Sequence, residues 1–106
     1  MEFITAKELL ENKKDFLVLD IRDENKFRQN TVPGSINIDV YNDIHEGNYE
    51  TERKKLSVLP KEKEIALVCN RGSTTQPACQ ILESMGYRAK VLESGMVGWN
   101  SMEQKN

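Results

Sequence analysis

Several things are scarce in this chain. It has two cysteines and one histidine. That is too few thiols for a disulfide scaffold, and too few ligands for the usual four-ligand structural zinc site. Neither a metal nor another cofactor is expected. Six glycines and three prolines among 106 residues exclude collagen-like and low-complexity classes. The longest apolar stretches, around Phe16 to Ile21 and Ile65 to Cys69, fall far short of the roughly 20 residues a membrane span needs. Met1, Glu2 and Phe3 carry no basic n-region or apolar h-region, so a cytoplasmic protein with no membrane partner is expected. Excess positive charge is missing too: 15 basic against 17 acidic residues leave a formal net charge of −2. Such a chain has no electropositive field for a phosphate backbone, so no nucleic-acid partner is expected.

What is present fits a globular protein. Hydrophobic residues make up 38% and charged residues 30% of the chain. A polypeptide of this mass hides roughly two-thirds of its unfolded surface, enough for one core, so a single domain over residues 1–106 is expected.

The order of elements follows from periodicity. Thr5-Ala6-Lys7-Glu8 has capping-box spacing; it predicts an extended Phe3-Ile4, then a short helix through Leu9 and Leu10 that stops near Asn12. Phe16 to Ile21 is nearly continuously apolar, the pattern of a central strand covered on both faces. A short helix over Asp23 to Asn30 and a Pro33-Gly34 turn lead to a brief strand from Ser35 to Ile38. Tyr41 to Thr51 is polar and contains Gly47, and reads as loop or irregular helix. A helix from Glu52 to Leu59, closed by Pro60, precedes a second apolar strand, Ile65 to Val68, which ends at Cys69. After the polar loop Asn70-Arg71-Gly72-Ser73-Thr74-Thr75, the positions Ala78, Ile81, Leu82 and Met85 share one helical face, and Gly86 stops that helix. Ala89 to Leu92 reads as a last strand and Gly95 to Glu103 as a terminal helix. Strands alternating with helices argue for an α/β layer fold with a mainly parallel sheet, whose sites lie beyond the carboxyl ends of the strands.

Cys69 stands at such an end. Backbone amides of the following loop can curl around the sulfur, and the positive end of the next helix can point at it; both favour thiolate over thiol. An ordinary cysteine, with a pKa of about 8.5, is about 3% ionised at pH 7; lowering that value by two units gives roughly 25-fold more nucleophile. Gly72 permits unusual dihedrals there, and Ser73, Thr74 and Thr75 supply compact hydroxyls. A cysteine in a strand can also be a small buried hydrophobe, but the polar loop that follows favours chemistry.

Three segments together resemble the rhodanese-like family. Leu19-Asp20-Ile21-Arg22-Asp23, then Phe27 and Val32-Pro33-Gly34-Ser35-Ile36-Asn37-Ile38, are similar to its first signature. Val68 to Thr75 resembles its active-site loop, and Leu92-Glu93-Ser94-Gly95-Met96-Val97-Gly98-Trp99 its closing signature. The resemblance implies a rhodanese-like α/β fold, about five parallel strands flanked by helices on both faces, and a cysteine that carries sulfane sulfur as a persulfide. It implies Cys69 as catalytic residue and Asn70, Arg71, Gly72, Ser73, Thr74 and Thr75 as the substrate-binding loop. The implied partners are a small anionic sulfur donor such as thiosulfate and an acceptor that is a thiol, cyanide or a protein. Two departures stand out: Thr74 occupies the place of an arginine in many active members, with Arg71 nearer the cysteine instead, and Asn30-Thr31-Val32 replaces a common glycine-histidine-isoleucine.

Each remaining residue has two readings. Cys79 could resolve a persulfide, or fill an apolar helix face, the favoured account. Asp20 and Arg22 could frame the site or, preferably, tie strand to loop. His45 reads as exposed, Trp99 as core cover, and Lys54-Lys55 and Lys61 to Lys63 as solvated charge. Two rival functions remain. A cysteine phosphatase or arsenate reductase needs an arginine where this chain has Thr75. A non-catalytic interaction module would not need Cys69.

Overall fold

In the computed structural model, which describes residues 2–71 and 75–105, five strands form one sheet. They are β1 (Glu2–Ile4), β2 (Phe16–Asp20), β3 (Ile36–Asn37), β4 (Glu64–Val68) and β5 (Ala89–Leu92). Their spatial order is β1-β5-β4-β2-β3, and every pairing is parallel. The two apolar runs pair with each other at the centre, with Leu19 opposite Leu67 and Asp20 opposite Val68. A parallel strand with helices on both sides has no solvent face, which is why these two segments read as continuous rather than alternating apolar sequence.

Among the described residues six α-helices cover the sheet: α1 (Ala6–Glu11), α2 (Glu24–Gln29), α3 (Tyr41–Glu46), α4 (Tyr49–Leu56), α5 (Thr75–Ser84) and α6 (Gly95–Lys105). Two buried layers result. On one side Leu19, Ile21, Ile65, Leu67, Cys69 and Val91 pack with Val40 and Ile44 around α3, Leu56 of α4, and Ala78, Cys79 and Leu82 of α5. On the other, Ile4, Val18, Ala66, Val68 and Leu92 pack with Ala6 and Leu9 of α1 and Met96 and Trp99 of α6. Each fully buried Leu, Ile or Met stabilises the fold by about 1.5–3 kcal/mol relative to exposure.

The end signals act as the sequence predicts. Glu8 N donates to Thr5 Oγ1 (3.1 Å) and Thr5 N donates to Glu8 Oε1 (3.0 Å), completing the capping box. The bond from the Thr5 amide, then that with its side chain, holds the Glu8 carboxyl below its ordinary value. Asp23 caps α2 through Lys26 N (3.0 Å). Gly86, at φ +89°, closes α5: its N–H donates to the Glu83 carbonyl (3.1 Å) and the Tyr87 N–H to that of Leu82 (3.0 Å), the paired bonds of a Schellman motif.

One expectation fails in part. The segment from Tyr41 to Thr51 is helical on both sides of Gly47, which ends α3 in the left-handed region at φ +73°, and α4 begins at Tyr49 rather than Glu52. Each helix buries few side chains, so neither stamps a strong apolar period on the sequence. No described helix is long and apolar enough to cross a membrane.

Candidate active site

Cys69 follows the last residue of β4, at the carboxyl edge of the sheet. Its backbone is fixed from the side by α6. Met96 N donates to the Cys69 carbonyl (2.8 Å) and Val97 N to the Asn70 carbonyl (3.1 Å), so the first turn of α6 satisfies two of its otherwise orphaned amides on the site itself. This close approach needs Gly95. It sits at φ +49°, and a Cβ there would lie 2.8 Å from Asn70 O and closer still to Cys69 O. Ser94 is also left-handed (φ 61°), and a Cβ on Gly98 would meet Ser94 Cβ at 2.8 Å. The Ser94-Gly95-Met96-Val97-Gly98 segment is thus a strut under Cys69 and Asn70. The helix from Gly95 is expected from sequence but its contact with Cys69 is not; two glycines three apart before a tryptophan are the signal that could have marked a close backbone approach.

The Cys69 side chain points into the layer that α3, α4 and α5 cover. The residue retains 2% of its exposure, and its thiol donates to Thr75 Oγ1 at 3.9 Å. Thr75 is buried and opens α5. The sulfur therefore lies beside a hydroxyl at the amino end of a ten-residue helix, where partial positive charge favours an anion. Asn70 and Arg71 are exposed at the start of the loop; Gly72, Ser73 and Thr74 lie outside the described residues.

A second network braces the neighbouring strand end. Arg22 grips the buried Asp20 carboxylate with Nε (3.0 Å) and Nη2 (2.7 Å), and its amide donates to the same group (3.0 Å). Arg22 Nη2 also donates to the Asn30 carbonyl (2.5 Å), and Thr31 Oγ1 donates to Asp20 Oδ2 (2.8 Å). Asn37 Nδ2 bridges the Asp20 and Arg22 carbonyls at 2.9 and 2.8 Å. The variant Asn30-Thr31-Val32 is therefore part of this clamp: two members bond to it, and Val32 is buried in the opposite layer.

The other candidates separate cleanly. Cys79 is fully buried, donating to the Ala89 carbonyl (3.8 Å) and Glu83 Oε1 (3.9 Å). Burial first, then the nearby Glu83 charge, pushes its thiol up to about 11, which leaves it un-ionised and un-nucleophilic at neutral pH. His45 is exposed, its ring 4.3 Å from that of Tyr41. Trp99 is core. Lys55 is more than solvated charge, since its Nζ bonds Asp43 Oδ2 (2.7 Å) and the Asp39 carbonyl (3.0 Å), tying α4 to α3. Among the described residues no cluster of His, Cys, Asp and Glu is placed to hold a metal ion.

One residue escaped sequence reasoning altogether. Glu52 of α4 is fully buried, and neither carboxylate oxygen has a hydrogen-bond partner among the described residues. Burial chiefly, and the Asp43 charge next, raise its carboxyl to about 7 against some opposition from Arg53. A glutamate in a polar helix reads as surface, and nothing in its neighbours signals otherwise.

Comparison with known proteins points one way. The family model for the rhodanese-like domain matches residues 5–102. The chain is 26% identical over 93 residues to YtwF of Bacillus subtilis, named as a candidate sulfurtransferase, covering 88% of this chain and 82% of that protein. It is 24% identical over 91 residues to a sulfurtransferase of Allochromatium vinosum, covering 85% and 77%. Among solved structures, a rhodanese-related protein from Thermoplasma volcanium superposes with a TM-score of 0.81 at 26% identity, covering 96% of this chain and 93% of that one.

Proposed function

Because the chain belongs to the rhodanese-like domain family, we propose that it is a sulfurtransferase that carries sulfane sulfur on Cys69, working as one domain over residues 1–106. The reading rests above all on the position of the Cys69 sulfur, at the carboxyl edge of the central strand and 3.9 Å from the hydroxyl of the residue that opens α5. In the first half-reaction the Cys69 thiolate attacks the outer sulfur of thiosulfate or of a persulfide donor. The donor's S–S bond breaks, sulfite or a thiolate leaves with the electron pair, and Cys69 keeps the sulfur as a persulfide anion. In the second, an acceptor thiol, cyanide or protein nucleophile takes that outer sulfur and returns Cys69 to thiolate. Negative charge stays on sulfur throughout, so the site needs fixed positive dipoles rather than a proton shuttle. In this reading the amino end of α5, the Thr75 hydroxyl and the loop residues Asn70, Arg71, Gly72, Ser73 and Thr74 supply them.

The absence of an arginine at position 75 disfavours the phosphatase and arsenate reductase readings: a phosphoryl or arsenyl dianion would lack its charge-assisted clamp, worth about 1.5–3 kcal/mol, and the buried Thr75 holds that place instead. Thr74, in the place of an arginine that many active members carry, makes a persulfide donor the better fit than thiosulfate. Mass spectrometry of the intact protein after treatment with thiosulfate, mercaptopyruvate or polysulfide tests the proposal. One added sulfur atom is expected on the wild type and none on Cys69→Ala. No adduct with any donor would favour a non-catalytic binding module.

A further inference from the structure

The α3–α4 segment shares a buried layer with Cys69. Val40, Ile44 and Leu56 belong to the same apolar cluster as that cysteine. Helix α4 leads into the start of β4, and near its end the Leu56 and Leu59 carbonyls accept from Tyr87 Oη (3.3 and 2.6 Å), just ahead of β5. The carboxyl end of α4 therefore faces the amino edge of the sheet. Glu52, one turn before Leu56 on the same buried face, sits about 6 Å further towards the edge that carries Cys69.

That position holds an unusual group. A carboxyl with both oxygens buried and unpartnered among the described residues is tolerated as the neutral acid and strongly disfavoured as the anion. The surrounding charges give no rescue. Asp43 on α3 is an anion already paired with Lys55, and Arg53 opposes the shift without overcoming it. The buried layer that α4 joins through Leu56 holds Ala78, Leu82, the Cys79 thiol and Cys69, and Tyr87 already donates to carbonyls. The segment is also lightly held: neither α3 nor α4 has a side-chain N-cap bond, and each is short.

We propose that α3–α4 is a proton-linked cover over the Cys69 layer, latched while Glu52 is neutral and released when Glu52 ionises and turns to water. Local opening of this kind offers a donor a way to a sulfur whose residue is 2% exposed. This function for the cover rests on the sulfur-transfer reading; the opening itself does not.

Hydrogen exchange at single-residue resolution tests the opening, on the wild type and on Glu52→Gln between pH 6 and 8, after correction for intrinsic rates. With the carboxyl at about 7 when closed and 4.5 when solvated, the opening constant of residues 41–56 should rise about tenfold over that range in the wild type relative to Glu52→Gln. Those amides should also open more readily than the amides of β4 and β5 at both pH values. A pH response that survives in Glu52→Gln, or opening constants equal to those of the sheet, would overturn the proposal. Should Glu52→Gln not fold, Glu52→Leu serves as the neutral variant. Cys69 alkylation, located by peptide mass, tests the cover: the wild-type rate relative to the neutral variant should also rise about tenfold, and a flat ratio would mean that α3–α4 does not gate Cys69. Neither measurement needs sulfur transfer, so failure here and failure of the persulfide assay are separate results.

Discussion

Arg22 gives Asp20 three side-chain bonds and a backbone bond, and both residues are buried. Removing the guanidinium leaves a buried carboxylate without its counter-ion, and breaking such a pair from one side costs about 3–5 kcal/mol. Arg22→Ala should therefore lower the unfolding free energy obtained from urea denaturation by an amount of that order, and an unchanged value would show the pair to be dispensable. Gly95 acts differently. Any Cβ there adds a left-handed backbone penalty of about 1–2 kcal/mol to a collision with the Cys69 and Asn70 carbonyls. Gly95→Ala is expected to lose about 2 kcal/mol or more in chemical denaturation, and to lose persulfide formation along with it, because the collision displaces Cys69. A variant that is destabilised yet loads sulfur at the wild-type rate would separate strut from site. Cys69 is legible from sequence because a thiol ending an apolar strand before a polar loop is a local pattern. Gly95 and Glu52 are not, since their roles arise from what other segments bring against them.

At the scale of elements, legibility follows how much of an element's stability is local. The α1 capping box and the α5 Schellman closure rest on residues three to five apart and are written in the chain. Gly86→Ala should cost about 1 kcal/mol, because alanine resists the left-handed region that closes α5; a thermal melt shifted by a few degrees would check it. Helices α3 and α4 have no such marks. Their hold comes from Lys55 reaching Asp43 and Asp39 and from a few side chains meeting the core, contacts that depend on the finished fold. Strand β3 is only Ile36–Asn37, and its last residue turns its side chain back to the Asp20 and Arg22 carbonyls, a role that periodicity does not mark.

For the molecule as a whole, the sheet order could be anticipated only through resemblance, since periodicity identifies central strands without ranking them. Global stability carries a signature that sequence cannot foretell, because it depends on one buried acid. Folding raises the Glu52 carboxyl from 4.5 to about 7, so between those values the native state holds a proton that the unfolded chain gives up. Its stabilising contribution is complete below 4.5 and drains away as pH rises through 7. From pH 5 to pH 8 the loss assigned to this residue amounts to roughly 2–3 kcal/mol. Paired urea titrations isolate it: subtracting the Glu52→Gln stability from that of the wild type cancels the other ionisable groups, and the difference should fall by about that amount across the range. The neutral variant should also be the more stable protein above pH 7, contrary to the usual cost of altering a buried residue. A difference that stays constant with pH would mean that Glu52 is already ionised and solvated in the native fold.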